Sequence, residues 1–303
     1  MNKNILLIGK GTIAVNCLSI LKETNNLPKI IICDSNDLGK DTWTKSLFKK
    51  AKELGFVENK NLFRETKVNK PEFIEKIRKT ESKIDIIFSI QPKAIFKIPF
   101  INLARDYVVN LHFAPLPKLR GVAPCSWAFL DGLKEMGVTL HLIEDEGIDN
   151  GPIIFQKLFP IRESDNAWTL FNKCIKYGTE LFKKNLNKIL NNEINPVPQN
   201  EKKATYHPQG ELDFSDLAVD LNKNVDEVFN FIRSRIFPPL QLPYFIYKNR
   251  QIFILDVKKL DVEKKYKKTT FDKKLYFDEL NKIYYLFCID GLIKIDKYKL
   301  KDL

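Results

Sequence analysis

Asn110, His112 and Asp149 are the side chains of this sequence whose types and spacing best suit chemistry on an acyl group. Asn110 and His112 stand two residues apart in Val108-Val109-Asn110-Leu111-His112-Phe113, which reads as a buried strand, so both polar tips point to one face. Pro115 and Pro117 stop that strand and keep a helix from running on over the face. Asp149 comes just before Asn150-Gly151, a turn pair that reverses the chain between two later strands. An amine attacking a carbonyl creates an oxyanion and an excess proton. The Asn110 amide could donate to that oxyanion, His112 could take or relay the proton, and Asp149 could orient the imidazole and stabilise its charged form. No serine or cysteine nucleophile is needed, so transfer would run directly between two bound molecules. A strand end whose polar groups are satisfied by the protein itself fits the same residues, and Asn-x-His alone leaves both readings open.

The elements that must position these residues are visible as a pattern. Through residue 112, apolar strands ("NILLIGK", "KIIICD", "IDIIFSI", "DYVVNLH") alternate with helical segments at Gly11–Glu23, Thr42–Leu54 and Pro71–Lys79. Such alternation predicts an α/β fold with a Rossmann-like, mainly parallel sheet and crossover helices. Ligands on such sheets bind at the carboxyl ends of the strands, here Lys10, Asp34, Gln91 and His112. A helix at Ala123–Leu133 follows, then strands "GVTLHLIE" and "PIIFQKLFPI" around the loop "DEGIDNG". A long amphipathic helix from about Asp165 to Leu190, capped by Ser164 or Asp165, closes a catalytic domain at residues 1–192. Beyond the polar linker "NNEINPVPQNEKKATY", residues 193–303 read as a smaller β-rich domain. It has a helix at Val225–Arg235, a hairpin turning at Asn249, and further short strands. "KKLDVEKKYKKTTFDKK" reads as a solvated charge run between strands.

Composition narrows the class. The 303 residues are 44% hydrophobic, enough for a sizeable core. Lys and Arg outnumber Asp and Glu by 50 to 38, a net charge of +12 that suits a phosphate-bearing ligand, RNA or an anionic membrane. The aromatic signatures of RNA-binding modules are missing. Five scattered cysteines without CxxC pairs read as reduced thiols, and no metal site is expected. The apolar run after Met1 is too short for a signal peptide, and no stretch is long enough to span a membrane, so a cytoplasmic location is expected.

Gly9 to Ala14, "GKGTIA", follows the first strand, and Asp34 closes the second, which meets the spacing of a dinucleotide fingerprint. A tight strand-to-helix turn that needs small residues explains the same stretch. A nicotinamide-binding protein is therefore a remote alternative.

Residues 110 to 161, "NLHFAPLPKLRGVAPCSWAFLDGLKEMGVTLHLIEDEGIDNGPIIFQKLFPI", resemble the core of the 10-formyltetrahydrofolate-dependent formyltransferases. The family's Asn-x-His and later Asp fall on Asn110, His112 and Asp149, with Leu-Pro at 116 and 117 and Arg-Gly at 120 and 121. "GELDFSD" and "FIRSRIFPPLQLPYF" are similar to the start of its C-terminal domain. The resemblance implies 10-formyltetrahydrofolate as co-substrate. Its pteridine would lie between Phe88, Ile90 and Gln91 on one side and Ile143, Glu144 and Asp145 on the other, held largely through backbone groups.

Family members formylate initiator methionyl-tRNA, a glycinamide ribotide or nucleotide-linked amino sugars. "PCSWAF" with Trp127, "GVTLH" with His141 and "SIQPKAIF" with Lys93 resemble the sugar-nucleotide N-formyltransferases. The Arg- and Gly-rich insertion of the tRNA enzymes is absent after the second strand. The expected acceptor is thus the amine of a nucleotide-linked amino sugar, by resemblance dTDP-4-amino-4,6-dideoxyglucose, destined for a surface polysaccharide such as O-antigen or lipopolysaccharide. Methionyl-tRNA is the alternative acceptor. Lys10 and Lys93 are the expected phosphate partners, and Trp127 and Tyr244 the expected contacts to sugar or base. The apolar hairpins of the last third predict a homodimer, with no membrane or nucleic-acid partner expected.

Overall fold

Ile5, Leu6, Leu7, Ile8 and Gly9 form the first strand, β1 (Ile5–Gly9), and are buried throughout. A strand with partners on both edges and packed layers on both faces needs apolar side chains in both directions, which is why it reads as a continuous run and not as an alternation. In the computed structural model, which describes residues 3–260 and 274–302, α1 (Gly11–Glu23), β2 (Ile30–Cys33), α2 (Leu47–Glu53), β3 (Leu62–Arg64), α3 (Pro71–Thr80), β4 (Ile84–Ile90), α4 (Ile98–Ile101) and β5 (Ala104–His112) follow. Next come β6 (Arg120–Gly121), α5 (Pro124–Leu130), β7 (Glu135–Leu142), β8 (Ile153–Pro160) and α6 (Ala167–Leu190).

The seven-stranded sheet runs β3-β2-β1-β4-β5-β7-β8. β1 to β5 pair in parallel, and β7 joins β5 antiparallel. The register sets Gly9 beside Cys33 and Ile90, and Ile90 beside Leu111, so the four expected strand ends do share one rim. One face of the sheet is packed by Leu6, Ile8, Ile32, Ile87 and Val108 against Ile77 and Phe100. Burying a side chain of this size contributes about 1.5–3 kcal/mol, and this packing fixes the height at which β5 delivers Asn110 and His112.

Two helix starts differ from the sequence reading. α2 begins at Leu47, not Thr42, because the Ser46 hydroxyl accepts the Lys49 N–H and caps it there. The freed residues 42–45 loop back, so that Thr44 meets the start of α1. α6 is capped by Asn166, whose side chain accepts the Thr169 N–H, instead of by Ser164 or Asp165. Asp165 is turned to the Arg162 N–H and the Thr169 hydroxyl.

The remaining elements are β9 (Tyr206–His207), α7 (Val225–Arg235), β10 (Tyr244–Tyr247), β11 (Arg250–Leu260), β12 (Leu275–Asp278), β13 (Ile283–Phe287) and β14 (Leu292–Asp302). The last five strands form an antiparallel sheet in the order β10-β11-β14-β13-β12. The turn at Asn249 is a two-residue hairpin in which Lys248 and Asn249 both have positive φ, 46° and 59°, as the twist of a tight hairpin demands. α7 starts with an Asn224/Glu227 capping box and packs Val228, Phe229 and Ile232 on Ile252, Ile254, Ile293 and Ile295. Most of the expected charge run, residues 261–273, lies outside the described residues.

The chain divides into two compact units, one of Met1–Gly121, Gly137–Leu158 and Lys173–Tyr206, the other of Val122–Met136, Phe159–Asn172 and His207–Leu303. The division does not follow a single cut at residue 192, since α5 and residues 159–172 count with the C-terminal sheet. Among the described residues no helix is long and apolar enough to cross a membrane.

Candidate active site

Asn110, His112 and Asp149 come together at the carboxyl rim of the first unit, and a second histidine joins them. Antiparallel pairing sets Asn110 opposite His141 and His112 opposite Thr139, so the side chains of Asn110 and His141 meet on one face. Asn110 Nδ2 lies 2.9 Å from His141 Nε2 and 3.3 Å from Asp149 Oδ1, while Asn110 Oδ1 accepts the Ser89 hydroxyl at 2.7 Å. His141 Nδ1 is 2.8 Å from the Leu142 carbonyl, which can only accept. His141 therefore carries its proton on Nδ1 and receives the Asn110 N–H at Nε2. Every polar atom of Asn110 is thus engaged, so its amide plane has one orientation.

His112 is held from both ends. Its Nε2 lies 3.0 Å from the Leu119 carbonyl and its Nδ1 3.6 Å from Asp149 Oδ2. Both neighbours are acceptors, so a ring bearing two protons finds a partner for each. The ring is only 6% exposed.

Asp149 adopts φ 53° and projects its carboxylate back at the two histidines, with His141 Nε2 3.4 Å from Oδ1. The Gly121 N–H donates to Oδ2 at 2.9 Å. Burial by itself would raise this carboxyl, but the facing His112 imidazole and the Gly121 N–H reverse the effect and hold it below the usual carboxylate range. It is an anion at any working pH. Asp149 itself is the left-handed residue of the turn; Asn150 and Gly151 are not. Glycine is needed at 151 for a different reason, since a Cβ there would lie 1.9 Å from the Leu142 carbonyl oxygen.

A largely buried carboxylate, two imidazoles and an oriented amide, with the one hydroxyl in contact, that of Ser89, committed to Asn110 Oδ1, are equipped for proton movement and oxyanion stabilisation. Comparison with known proteins agrees with that chemistry. Residues 3–186 match the formyl transferase family. The chain belongs to the formyl transferase family. It is a formyl-transferring enzyme with the family's mainly parallel sheet followed by an antiparallel one. The solved structure of WlaRD, a sugar 3N-formyl transferase in the presence of dTDP and 5-N-formyl-THF, matches with a TM-score of 0.77 and 30% identity over 98% of both chains. The N-formyltransferase from Helicobacter canadensis, in complex with folinic acid and dTDP-3-aminofucose, matches with a TM-score of 0.76 and 29% identity, covering 98% of this chain and 100% of that one. The methionyl-tRNA formyltransferase of Thermodesulfovibrio yellowstonii is 30% identical over 86% of this chain and 82% of its own length.

The other sequence-predicted residues of the enzyme fall into three groups. Lys10, Lys93 and Asp34 converge at the ends of β1, β4 and β2, with Lys93 Nζ 3.4 Å from Asp34 Oδ2. Burial first, and then the nearby Lys93 ammonium, lower the Lys10 pKa against the pull of Asp34. Two cations around one carboxylate leave net positive charge on the rim.

The residues expected around the pteridine separate. The side chains of Phe88 and Ile90 lie in the core, Phe88 edge-on to Phe182 at 5.0 Å, so neither side chain lines a cleft. Ile90 also gives its carbonyl to the Lys10 N–H. They sit in a central strand, and their apolar character reflects that position. Gln91 is partly exposed at the rim with φ 55°, and its amide donates to the Leu111 carbonyl. Ile143 ties its N–H to the Val108 carbonyl, while Glu144 and Asp145 are exposed, Asp145 bracing the loop through Gly147 and Asn150.

Trp127 and Tyr244 belong to the second unit. Trp127 stacks flat on His207 with centroids 3.9 Å apart, and Tyr244 packs on Phe253 across β10 and β11. The dinucleotide fingerprint has a structural explanation: Gly11 turns at φ 71°, and the Thr12 N–H at the start of α1 donates to the Thr44 hydroxyl. The helix start that would face a pyrophosphate meets the protein's own side chain there.

Sequence reasoning missed Ser89, the Gly121 N–H and the part His141 plays. The signal for His141 was its alternation with Thr139, but the antiparallel register of β5 and β7 is needed to set it against Asn110.

Proposed function

We propose that the enzyme transfers a formyl group from 10-formyltetrahydrofolate to the amine of a dTDP-linked amino-deoxyhexose. The observation that carries this reading is the Asn110, His112, Asp149 cluster on the strand rim of a chain that matches two sugar formyltransferase structures along 98% of its length. The amine attacks the formyl carbon, and the carbonyl π electrons move to oxygen. The Asn110 N–H now 3.3 Å from Asp149, the longer of its two bonds, is the one shared with that oxyanion, the amide plane staying as it is. His112 takes the proton that the attacking nitrogen sheds, and Asp149 stabilises the resulting imidazolium. When the oxyanion collapses, the bond from the formyl carbon to the folate nitrogen breaks, and the departing nitrogen takes up a proton through His112. The products are a formamide and tetrahydrofolate.

Lys10 and Lys93 face the diphosphate, with Asp34 as the group it displaces. Gln91 and the 143–145 loop border the pteridine, with Phe88 and Ile90 contributing main chain at most. The expected amine is at C4, as in dTDP-4-amino-4,6-dideoxyglucose; likeness to the 3N-formyl transferase and the dTDP-3-aminofucose complex favours C3. Both belong in the assay. The product suits O-antigen assembly in the cytoplasm. Residues 1–192 carry the catalytic core, and 193–303 form a homodimer through the sheet face bearing Ile246 and Tyr276, both exposed. A monomer at all concentrations in analytical ultracentrifugation would reject the dimer.

Methionyl-tRNA is the second reading, favoured by 30% identity to a tRNA enzyme over most of the chain. One assay separates the two. Purified protein is given 10-formyltetrahydrofolate with 3-amino and 4-amino dTDP sugars or methionyl-tRNA, and product mass is followed. Formylation of a dTDP sugar alone supports the proposal; formylation of the tRNA alone refutes it.

A further inference from the structure

Three consecutive residues, Leu119, Arg120 and Gly121, each serve the site differently. The Leu119 carbonyl faces His112 Nε2, and the Gly121 N–H holds Asp149 Oδ2. Arg120 lies between them, 8% exposed, and spends its guanidinium on two partners. Nε and Nη2 donate to Gln199 Oε1 at 3.1 and 2.9 Å, while Nη1 and Nη2 donate to the two Glu201 oxygens at 2.9 and 2.7 Å. Gln199 is then polarised in one sense. With its oxygen committed to Arg120, its Nε2 donates to the carbonyls of Asp149 at 2.7 Å and Gly151 at 2.8 Å. The 119–121 segment is pinned along the same edge, with the Arg120 N–H on the Thr205 carbonyl and the Leu119 N–H on the Thr205 hydroxyl.

We infer that Arg120 and Gln199 are positioning residues for the His112 and Asp149 pair, Gln199 holding the backbone of Asp149 while Arg120 locks the amide of Gln199 in the donating sense. Asp149 needs such a restraint. Its positive φ is uncommon for a residue other than glycine, and at that turn a small backbone rotation swings the carboxylate away from both imidazoles. His112 is steadied by the same unit, because Leu119 and Gly121 flank the anchored arginine. An arginine is required, since a lysine cannot offer the planar fork that serves Gln199 and Glu201 together. This inference rests on the formyl-transfer reading of the site, but the geometry it claims can be tested without turnover.

The experiment uses Gln199→Glu, which keeps the acceptor for Arg120 and removes both donors to the turn, and Gln199→Leu, which removes the polar group without adding charge. The chain has three histidines, so ring-labelled imidazole NMR separates His112 and His141 from His207, which is held elsewhere by Asp131 and Glu211. In both variants the His112 and His141 ring signals are expected to move, with those of His207 unchanged. The kcat is expected to fall about 10- to 100-fold with KM for the formyl donor within about twofold, as for loss of geometry without loss of binding. Arg120→Lys should shift the same two histidines. Unmoved His112 and His141 signals in a folded variant overturn the inference, and so does a melting-temperature loss with wild-type kcat per folded molecule. Should the wild-type protein formylate nothing, the functional reading fails while the NMR arm still decides whether the restraint exists.

Discussion

Replacing Asp149 by asparagine removes one charge and keeps the shape of the side chain. The carboxylate stands 3.6 Å from His112 Nδ1. In an effective dielectric of about 20, unit charges at that separation attract by about 4.6 kcal/mol, which is the most the variant can forfeit when His112 becomes an imidazolium. At 1.36 kcal/mol per decade this is a ceiling of roughly three powers of ten in rate. The amide also meets a conflict. Its oxygen must stay on the Gly121 N–H, which turns its NH2 toward Asn110 Nδ2, itself a donor. Asn110 is then displaced from Asp149 and competes for His141 Nε2. The expected loss in kcat is about 100- to 1,000-fold, with KM for the formyl donor changed less than about threefold, because in the proposed mechanism Asp149 serves the forming charge and not the bound ground state. The assay follows tetrahydrofolate release and formylated product by mass, with a melting curve to count folded enzyme. A kcat within about threefold of wild type would show that the proton leaves by a route that does not involve the His112 and Asp149 pair.

His112→Asn removes the proposed proton acceptor and is expected to cut turnover by about 100-fold or more while folate-analogue binding, read by calorimetry, stays within about threefold; near-normal turnover would dismiss the general-base role. Gly151→Ala drives a methyl into the Leu142 carbonyl and should lower stability by about 2–4 kcal/mol, measured as a shift in urea midpoint, since backbone must move to admit it. The Asp149 carboxyl is depressed below its ordinary value of 3.8, so the stability it confers is complete above that value and lost as pH falls through the lower folded value. The stability gap between wild type and Asp149→Asn should therefore shrink below about pH 4 and gain nothing further from this carboxyl above about pH 5; a gap that keeps growing toward neutrality would mean the carboxyl is not held low.

The alternating core, the strand rim and the candidate trio Asn110, His112 and Asp149 were legible in the sequence, because period and residue type are local properties. The apolar run Ile5 to Ile8 needs a two-sided burial whatever its neighbours are, and Asn110 and His112 share a face by alternation alone. The hairpin at Asn249 was legible for the same reason, since a two-residue turn is fixed by its own backbone. The start of α2 was not, because helical pattern extends back to Thr42 while the Ser46 cap and the pull of Thr44 toward α1 set the boundary. Phe88 and Ile90 read as pteridine neighbours by resemblance, and only their place in the central strand puts their side chains in the core. Tertiary structure alone decided that His141 faces Asn110, that the Gly121 N–H holds Asp149, and that Arg120 reaches Gln199 across 79 residues of chain. These contacts depend on strand register and on segments distant in sequence, and neither leaves a periodic trace in the residues that make them.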